Sequence, residues 1–595
     1  MTTGERIDIA PAPAAPAAPA APVPAAARRR RSRLEAVPAV TLVLFLGPIA
    51  AGLAGTWAPA FGFLPALGGT EPTLDPWRGL MAAPGLGGAV LLSAGTGLAA
   101  TLLSFAIALW FCAAWHGTRT FSAFRRLLAP LLALPHAAFA IGLAFLMAPS
   151  GWIVRLLSPW ATGWTFPPDL ALVNDPRGLA LVLGLMVKEV PFLMLMIVAA
   201  LGQTPADKSL AVARSMGYGP VTAWLKVVLP LVYAQVRLPV YAVLAFSLSV
   251  VDVALILGPG TPPPLAVMVL RWFSDPDLAL RYQAAAGACL QLALVAAMIA
   301  LWRLGEVAAG SACRGWLVSG RRGGSGRAAR AVSAGLAAGV VAVAVGSSVG
   351  LGLWSVASRW RFPDALPGGW TLETWTRALP ALAGPAWTTL TAGLAAAGIA
   401  LVLVLGCLEN EQRSGLRPSA RGLWLLYLPL LVPQIGFLFG TQVLLVAAGL
   451  DGTWPALVWS HLLFVLPYVF LTLADPYRAL DERYARAAAC LGASPARVFL
   501  RVKLPLLLRP ILAAAAIGFS VSVAQYLPTQ FAGAGRLPTL TTEAVGLAAG
   551  ADRRLIGVYG FAQAALPLAA FALALLVPGL SGRVRRIGTG KGRRA

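Results

Sequence analysis

Along most of its length the chain does not alternate polar and apolar residues with a helical or strand period. It runs apolar for about twenty residues or more at a time, the length a helix needs to cross a bilayer, then breaks for a short polar interval. The pattern predicts an all-α integral membrane protein of about twelve transmembrane helices, over roughly 37–57, 86–115, 127–148, 178–201, 231–258, 284–302, 333–358, 385–408, 423–450, 456–474, 507–530 and 556–580. Residues 1–34 are different: an Ala/Pro tract is followed by Arg28–Arg31 and Arg33. That composition predicts a disordered tail. The first apolar stretch is longer than the 7–15 residues of a signal-peptide core, so it reads as a retained helix.

Composition narrows the class. Of 595 residues, 58% are hydrophobic and 12% charged, with mean hydropathy +0.76. A soluble chain carries about 25% charged residues, which excludes an ordinary soluble enzyme. The net charge of +24 does not mark a nucleic-acid binder either, because that needs cations gathered on one solvated surface; no nucleic-acid partner is expected. The charge is an orientation signal. With the N-terminus inside, the inner face collects 34 cations and 10 acids and the outer face 11 of each. Cationic loops stay in the cytoplasm, so both termini are expected there, in a bacterial inner membrane. Five cysteines without CxxC or metal-ligand spacing predict no metal site and no cofactor.

The chain is also written twice. With Gly217 set on Gly492, Pro220 meets Pro495, Trp224 meets Phe499, Lys226 meets Arg501, and Leu229-Pro230 meets Leu504-Pro505. The preceding spans align as Pro191-Phe-Leu-Met-Leu on Pro467-Tyr-Val-Phe-Leu. The following ones align as Phe246-Ser-Leu-Ser-Val on Phe519-Ser-Val-Ser-Val. This predicts two parallel six-helix repeats, 35–303 and 333–580, related by an axis along the membrane normal. They are joined by a loose Gly/Ser/Arg linker at 304–332 and followed by a basic tail at 581–595.

The repeated loops resemble a known motif: Glu-Ala-Ala, three residues, Gly, nine residues, Ile-x-Leu-Pro, found in the membrane subunits of binding-protein-dependent ABC importers. The first copy reads Ala211-Val212-Ala213-x3-Gly217-x9-Val227-x-Leu229-Pro230. The second reads Arg486-Ala487-Ala488-x3-Gly492-x9-Val502-x-Leu504-Pro505. The spacing matches in both copies; the Glu is replaced by Ala211 and Arg486. Fused two-copy permeases of this kind resemble those of the thiamine, ferric-iron and polyamine import group. The resemblance implies a solute-conducting permease with two separate ATP-binding subunits on its cytoplasmic loops and a solute-binding protein outside. Gly217, Pro220, Trp224, Lys226, Leu229, Pro230 and their counterparts Gly492, Pro495, Phe499, Arg501, Leu504, Pro505 would form the docking sites. Trp224 and Phe499 read as aromatic anchors beside a cation. None of the five lysines lies in a GxxxxGK[ST] phosphate loop, so no catalytic residue is expected in this chain.

Charge at membrane depth is costly and marks function by default. Glu189, Asp252 and Gln525 are the pathway candidates; Lys188, beside Glu189, reads equally well as a structural contact near Pro191, and His136 as a packed core histidine. Tryptophans of the outer loops, among them Trp57, Trp160, Trp360 and Trp370, are expected at the lipid interface. A twelve-span transporter driven by an ion gradient is the alternative. It would need buried coupling carboxylates, for which only Glu189 and Asp252 are available, and it leaves the repeated loops without a role. A membrane enzyme would need acidic or His residues clustered at one face, and the outer acids are scattered.

Overall fold

The computed structural model describes residues 33–415 and 420–589; all but the last two residues of the expected disordered tail lie outside them, and those two begin a short 3-10 helix, Arg33–Ala36. The described chain is helical, an integral membrane protein of about twelve helices. Among the described residues ten helices are long and apolar enough to cross a membrane, or twelve if two sharply bent pairs each count as one span.

Elements follow in the order α1 (Val37–Ala60), α2 (Leu86–Trp115), α3 (Arg119–Ala133), α4 (His136–Met147), α5 (Leu179–Gly202), α6 (Ala206–Ser215), α7 (Pro220–Ala223), α8 (Leu229–Ser249), α9 (Asp252–Leu257), α10 (Leu265–Phe273) and α11 (Leu280–Ala312). After a short α12 (Arg314–Val318) the order recurs. The second series is α13 (Arg327–Val356), α14 (Glu373–Ser414), α15 (Ala420–Leu431), α16 (Ile435–Ala447), α17 (Trp454–Arg478), α18 (Glu482–Cys490), α19 (Pro495–Val498), α20 (Leu508–Val523), α21 (Leu527–Gly533), α22 (Leu540–Ala548) and α23 (Arg553–Thr589).

Four expected spans are not single helices. Span 127–148 is interrupted before Pro135 and span 423–450 at Pro433, where α15 and α16 meet at 100°. Proline disfavours the helical conformation in the residue before it, so each break falls where the sequence places that residue. Spans 231–258 and 507–530 stop at Ser249 and Val523 and continue as the short helices α9 and α21. At the far end α23 runs to Thr589, past the expected boundary at 580. The joint at 304–332 is not a loose tether. α11 extends to Ala312 and α12 follows, because the Ala-rich run Val307–Ala312 favours helix.

Helix ends inside an apolar phase leave backbone groups that water cannot reach, and side chains repair them in matching ways. The amide of Leu265, at the start of α10, donates to Ser93 Oγ of α2 (2.8 Å), and that of Leu540, at the start of α22, to Thr389 Oγ1 of α14 (2.9 Å). At the end of α8, Gln291 of α11 donates to the Leu248 carbonyl (3.1 Å). At the end of α20, Thr541 donates to the Val523 carbonyl, and Gln563 of α23 donates to Thr541 (2.6 Å).

The first helix of each series packs on the other series: α1 on α16, and α13 on α4. Both crossings are backbone-close. A Cβ on Gly440 would overlap the carbonyl oxygen of Gly52, and one on Gly142 would overlap that of Ser347. The amide of Gly440 donates to Thr56 Oγ1 at 3.0 Å. Small residues on both faces let helices approach and pack where no hydrophobic effect drives them together. Replacing Gly440 with Val should therefore force α1 off α16 and cost about 1–3 kcal/mol, read as a lowered Tm in detergent. Gly47→Ala, on α1 but facing open space, should leave Tm unchanged or slightly raised.

Candidate functional site

Two short-helix segments come together where Gln203 donates to Asp475 at 3.4 Å, and they share one backbone design. In each, a short helix (α6 or α18) stops at a glycine with left-handed backbone, Gly217 at φ +83° and Gly492 at φ +79°, a conformation that favours glycine. A four-residue helix then begins on Pro220 or Pro495, where proline's missing N–H costs nothing. It runs straight into a π-helical turn, Trp224–Val228 or Phe499–Lys503. There the amide of Leu229 reaches back to the Trp224 carbonyl, and that of Leu504 to Phe499. Such turns are rare and concentrate at functional places. Pro230 and Pro505 occupy early positions of the helices that follow, again exposed.

Trp224 and Phe499 do not face outward. Trp224 is 0% exposed, and Phe499 is half-buried against the core of its own half. Each fastens its short helix to the bundle, so the aromatic-anchor reading is corrected for Trp224, which presents no exposed surface. Among the large apolar side chains that do stand free, alongside Val212 and Leu500, are Met216, 58% exposed, and Leu491, 89% exposed, each directly before the left-handed glycine. They occupy equivalent positions, a signal present in the sequence once the two copies are aligned. Arg501 is exposed, whereas the ammonium of Lys226 is engaged within the chain by the Ser319 carbonyl at 2.6 Å.

The copies are held to the bundle by different chemistry. Under the first, Val228 is fully buried in the same apolar core as Phe111, Phe121 and Phe124. Under the second, Lys503 stands where Val228 does. It donates to Glu409 (2.5 Å) and Gln412 (2.7 Å), while Tyr477 and Arg413 also donate to Glu409, the latter at 2.6 Å. Every polar group there has a partner, the condition under which buried charge is tolerable.

At membrane depth the structure separates the polar candidates. Lys188 is structural. Its ammonium donates to the carbonyls of Leu134 (2.6 Å) and Leu131 (3.2 Å), which the break before Pro135 leaves open. Glu189 turns elsewhere, toward His136 at 3.8 Å. His136 is partly exposed and its ring lies 5.0 Å from that of Phe246. Asp252 opens α9 in the chain break after α8, within electrostatic reach of His136, and Tyr526 of the second half lies within reach of Asp252. Tyr468, also of the second half, is within reach of Glu189. Gln525, buried in the equivalent break between α20 and α21, has its backbone carbonyl occupied by Thr529 (2.8 Å). Glu189 and His136 thus lie together, with Asp252 and two tyrosines of the second half within electrostatic reach. His461, which sequence reading passed over, is buried with both ring nitrogens bonded, to Ser522 (2.7 Å) and Thr529 (2.9 Å).

The tryptophans divide in the same way. Trp160 and Trp370 are exposed, but Trp360 is buried against Arg155, whose guanidinium lies 5.1 Å from its ring and donates to the Arg361 carbonyl at 2.6 Å. Trp360 ties the two halves together rather than meeting lipid.

Residues 376–584 match the family model described as "Binding-protein-dependent transport system inner membrane component". The "Inner membrane ABC transporter permease protein YnjC" of Escherichia coli strain K12 is 34% identical over 524 residues, which cover 86% of this chain and 92% of that protein. Shorter likenesses join this chain to two permeases of the same organism. The "Putrescine transport system permease protein PotI" is 29% identical over 126 residues, 20% of this chain and 45% of that one. The "Spermidine/putrescine transport system permease protein PotC" is 29% identical over 116 residues, 19% and 43% of the respective chains.

Removing the Lys188 ammonium leaves two buried carbonyls open. Lys188→Met should lower stability by about 1–3 kcal/mol, visible as a lower Tm in detergent. Phe464→Leu, changed at the equivalent place on α17, should have a smaller effect.

Proposed function

The chain belongs to the family of binding-protein-dependent transport system inner membrane components and is a multi-pass ABC-transporter permease rather than an enzyme; from that premise we propose how it works. The chain supplies both halves of the translocation pathway of an importer, one from each repeat, 35–303 and 333–580. Two separate ATP-binding subunits dock on residues 202–230 and 475–506, and a solute-binding protein delivers solute from the opposite face. The membrane is the bacterial inner membrane with both termini cytoplasmic, as the bias of Lys and Arg toward that face argues.

The observation that carries this reading is the recurrence, in both halves, of one built unit: helix, exposed apolar residue, left-handed glycine, proline-initiated helix, π-helical turn. A surface helix that merely touches lipid has no need of it twice in equivalent places. The unit suits a lever. Met216 and Leu491 supply apolar contact at the tip, and the buried Trp224 and the Lys503–Glu409 network fix the base. A push on the first tip passes through α7 and the π-turn into α8, whose other end is the break that carries Asp252. Closure of the ATP-binding subunits would thereby move the boundary where Glu189, Asp252 and Gln525 lie, exposing it alternately to each face.

The permease and its ATP-binding subunits should copurify from the native membrane. Leu491→Asp and Gly492→Val should each reduce recovery of the ATP-binding subunit and abolish coupled transport while the permease stays folded by Tm. In proteoliposomes, uptake should require ATP and survive collapse of the proton gradient. Gradient-driven uptake without ATP would remove the proposal.

A further inference from the structure

We infer that the segment joining the two halves, residues 314–326, is part of the docking surface for the first ATP-binding subunit and supplies cations that the first copy lacks. The inference rests on the docking reading above.

Because the copies align at a constant offset through these segments, each position has a counterpart in the same molecule. In the second copy, positions 494–497, 500 and 501 are exposed; their counterparts 219–222, 225 and 226 are only partly so. The joining segment covers them. Lys226 donates to the Ser319 carbonyl at 2.6 Å and lies 5.0 Å from the centre of the Trp316 ring. The amide of Gly219 donates to the Arg322 carbonyl at 2.8 Å. The chains are so close that a Cβ on Gly219 would overlap the Gly324 carbonyl, and one on Gly323, at φ +72°, would overlap Thr222. Backbone meets backbone at Gly219 and side chains carry the contact on to Lys226, which a slack tether does not do.

Charge then gives the cover its purpose. The second short helix offers two exposed guanidiniums, Arg497 and Arg501, neither in an ion pair among the described residues. At the same places the first copy has Thr222, which is neutral, and Lys226, whose ammonium is taken up by Ser319. The joining segment brings Arg322 to the adjacent Gly217–Gly219 turn, with Arg321 next to it in the chain, both exposed and likewise outside every described ion pair. Arg322 lies along Gly217, with its Cδ 3.4 Å from where a Cβ would be. Beside its short helix each surface so presents two arginines outside any described ion pair; the preceding helices add Arg214 to the first surface and the ion-paired Arg483 and Arg486 to the second. A pair of like ATP-binding subunits with carboxylates rimming their docking grooves needs two matching surfaces, and the joining segment restores the match that divergence of the copies removed.

The test uses the intact permease in nanodiscs and the ATP-binding subunit identified by the copurification above, purified. Binding affinity and stoichiometry would be measured at low and high salt for R321A/R322A, for R497A/R501A, and for W316A, which loosens the cover. All three change exposed or half-exposed side chains, and equal Tm would establish that they fold. R321A/R322A is expected to weaken one of the two binding events roughly three- to tenfold at low salt, as R497A/R501A weakens the other, with both effects shrinking at high salt. W316A should act in the same direction as R321A/R322A. Unchanged affinity in R321A/R322A would make the segment a spacer, and tighter binding in W316A would make it a cover that blocks docking; either overturns the inference. If Leu491→Asp and R497A/R501A were also without effect, the docking reading itself would fall.

Discussion

A polypeptide in hydrocarbon has no water to bond its amides and carbonyls, and this structure is organised around that shortage. Unbroken helix satisfies it for most of the chain. Each interruption needs a named repair: the Lys188 ammonium on the carbonyls before Pro135, Ser93 and Thr389 on the starts of α10 and α22, Gln291 on the end of α8. Three of the breaks, before Pro135 and after Ser249 and Val523, carry or adjoin the polar groups at the boundary between halves. Irregular backbone is tolerated at membrane depth where protein or a cavity surrounds it, so the breaks before Pro135 and after Ser249 and Val523 fall where a solute could meet polar groups.

The two halves reach one architecture by unlike means. The first seats its short helix on aromatic and aliphatic packing around Trp224 and Val228; the second uses Lys503, Glu409, Tyr477 and Arg413. The packed seat has no charge to solvate. The ionic seat depends on every partner remaining, since loss of one leaves a buried charge unpaired. Sequence divergence therefore does not mean mechanical divergence: the left-handed glycine and the π-turn, set by backbone, persist while the side chains beneath them change class.

Much of this was legible in the residues. Apolar run length gave the number of spans, the Lys and Arg bias argued an orientation, and the offset of Gly217 from Gly492 located the repeated unit. The joint between the halves was misread, because Gly, Ser and Arg signal flexibility locally while its order comes from contacts with residues about a hundred positions earlier. Trp224 was misread for a related reason: composition says that an aromatic in a loop is an anchor, but not toward which side it points. The division of labour between adjacent Lys188 and Glu189 was half legible. Neighbouring helix positions diverge by about 100°, yet only the broken helix opposite decides which of them is spent on structure.

The exchange of first helices has a consequence for how the molecule is made. α1 emerges from synthesis first, but the face that carries Gly52 and Gly55 has its partner on α16, nearly four hundred residues later. Until then that face of α1 stays open in the bilayer, although α11 of its own half packs against another part of it. α13 meets no such delay, since α4 is already in place when it enters. Assembly is thus directional: the midpoint of the chain closes one crossing at once, and the other stays open until the second half arrives to complete what the first helix began.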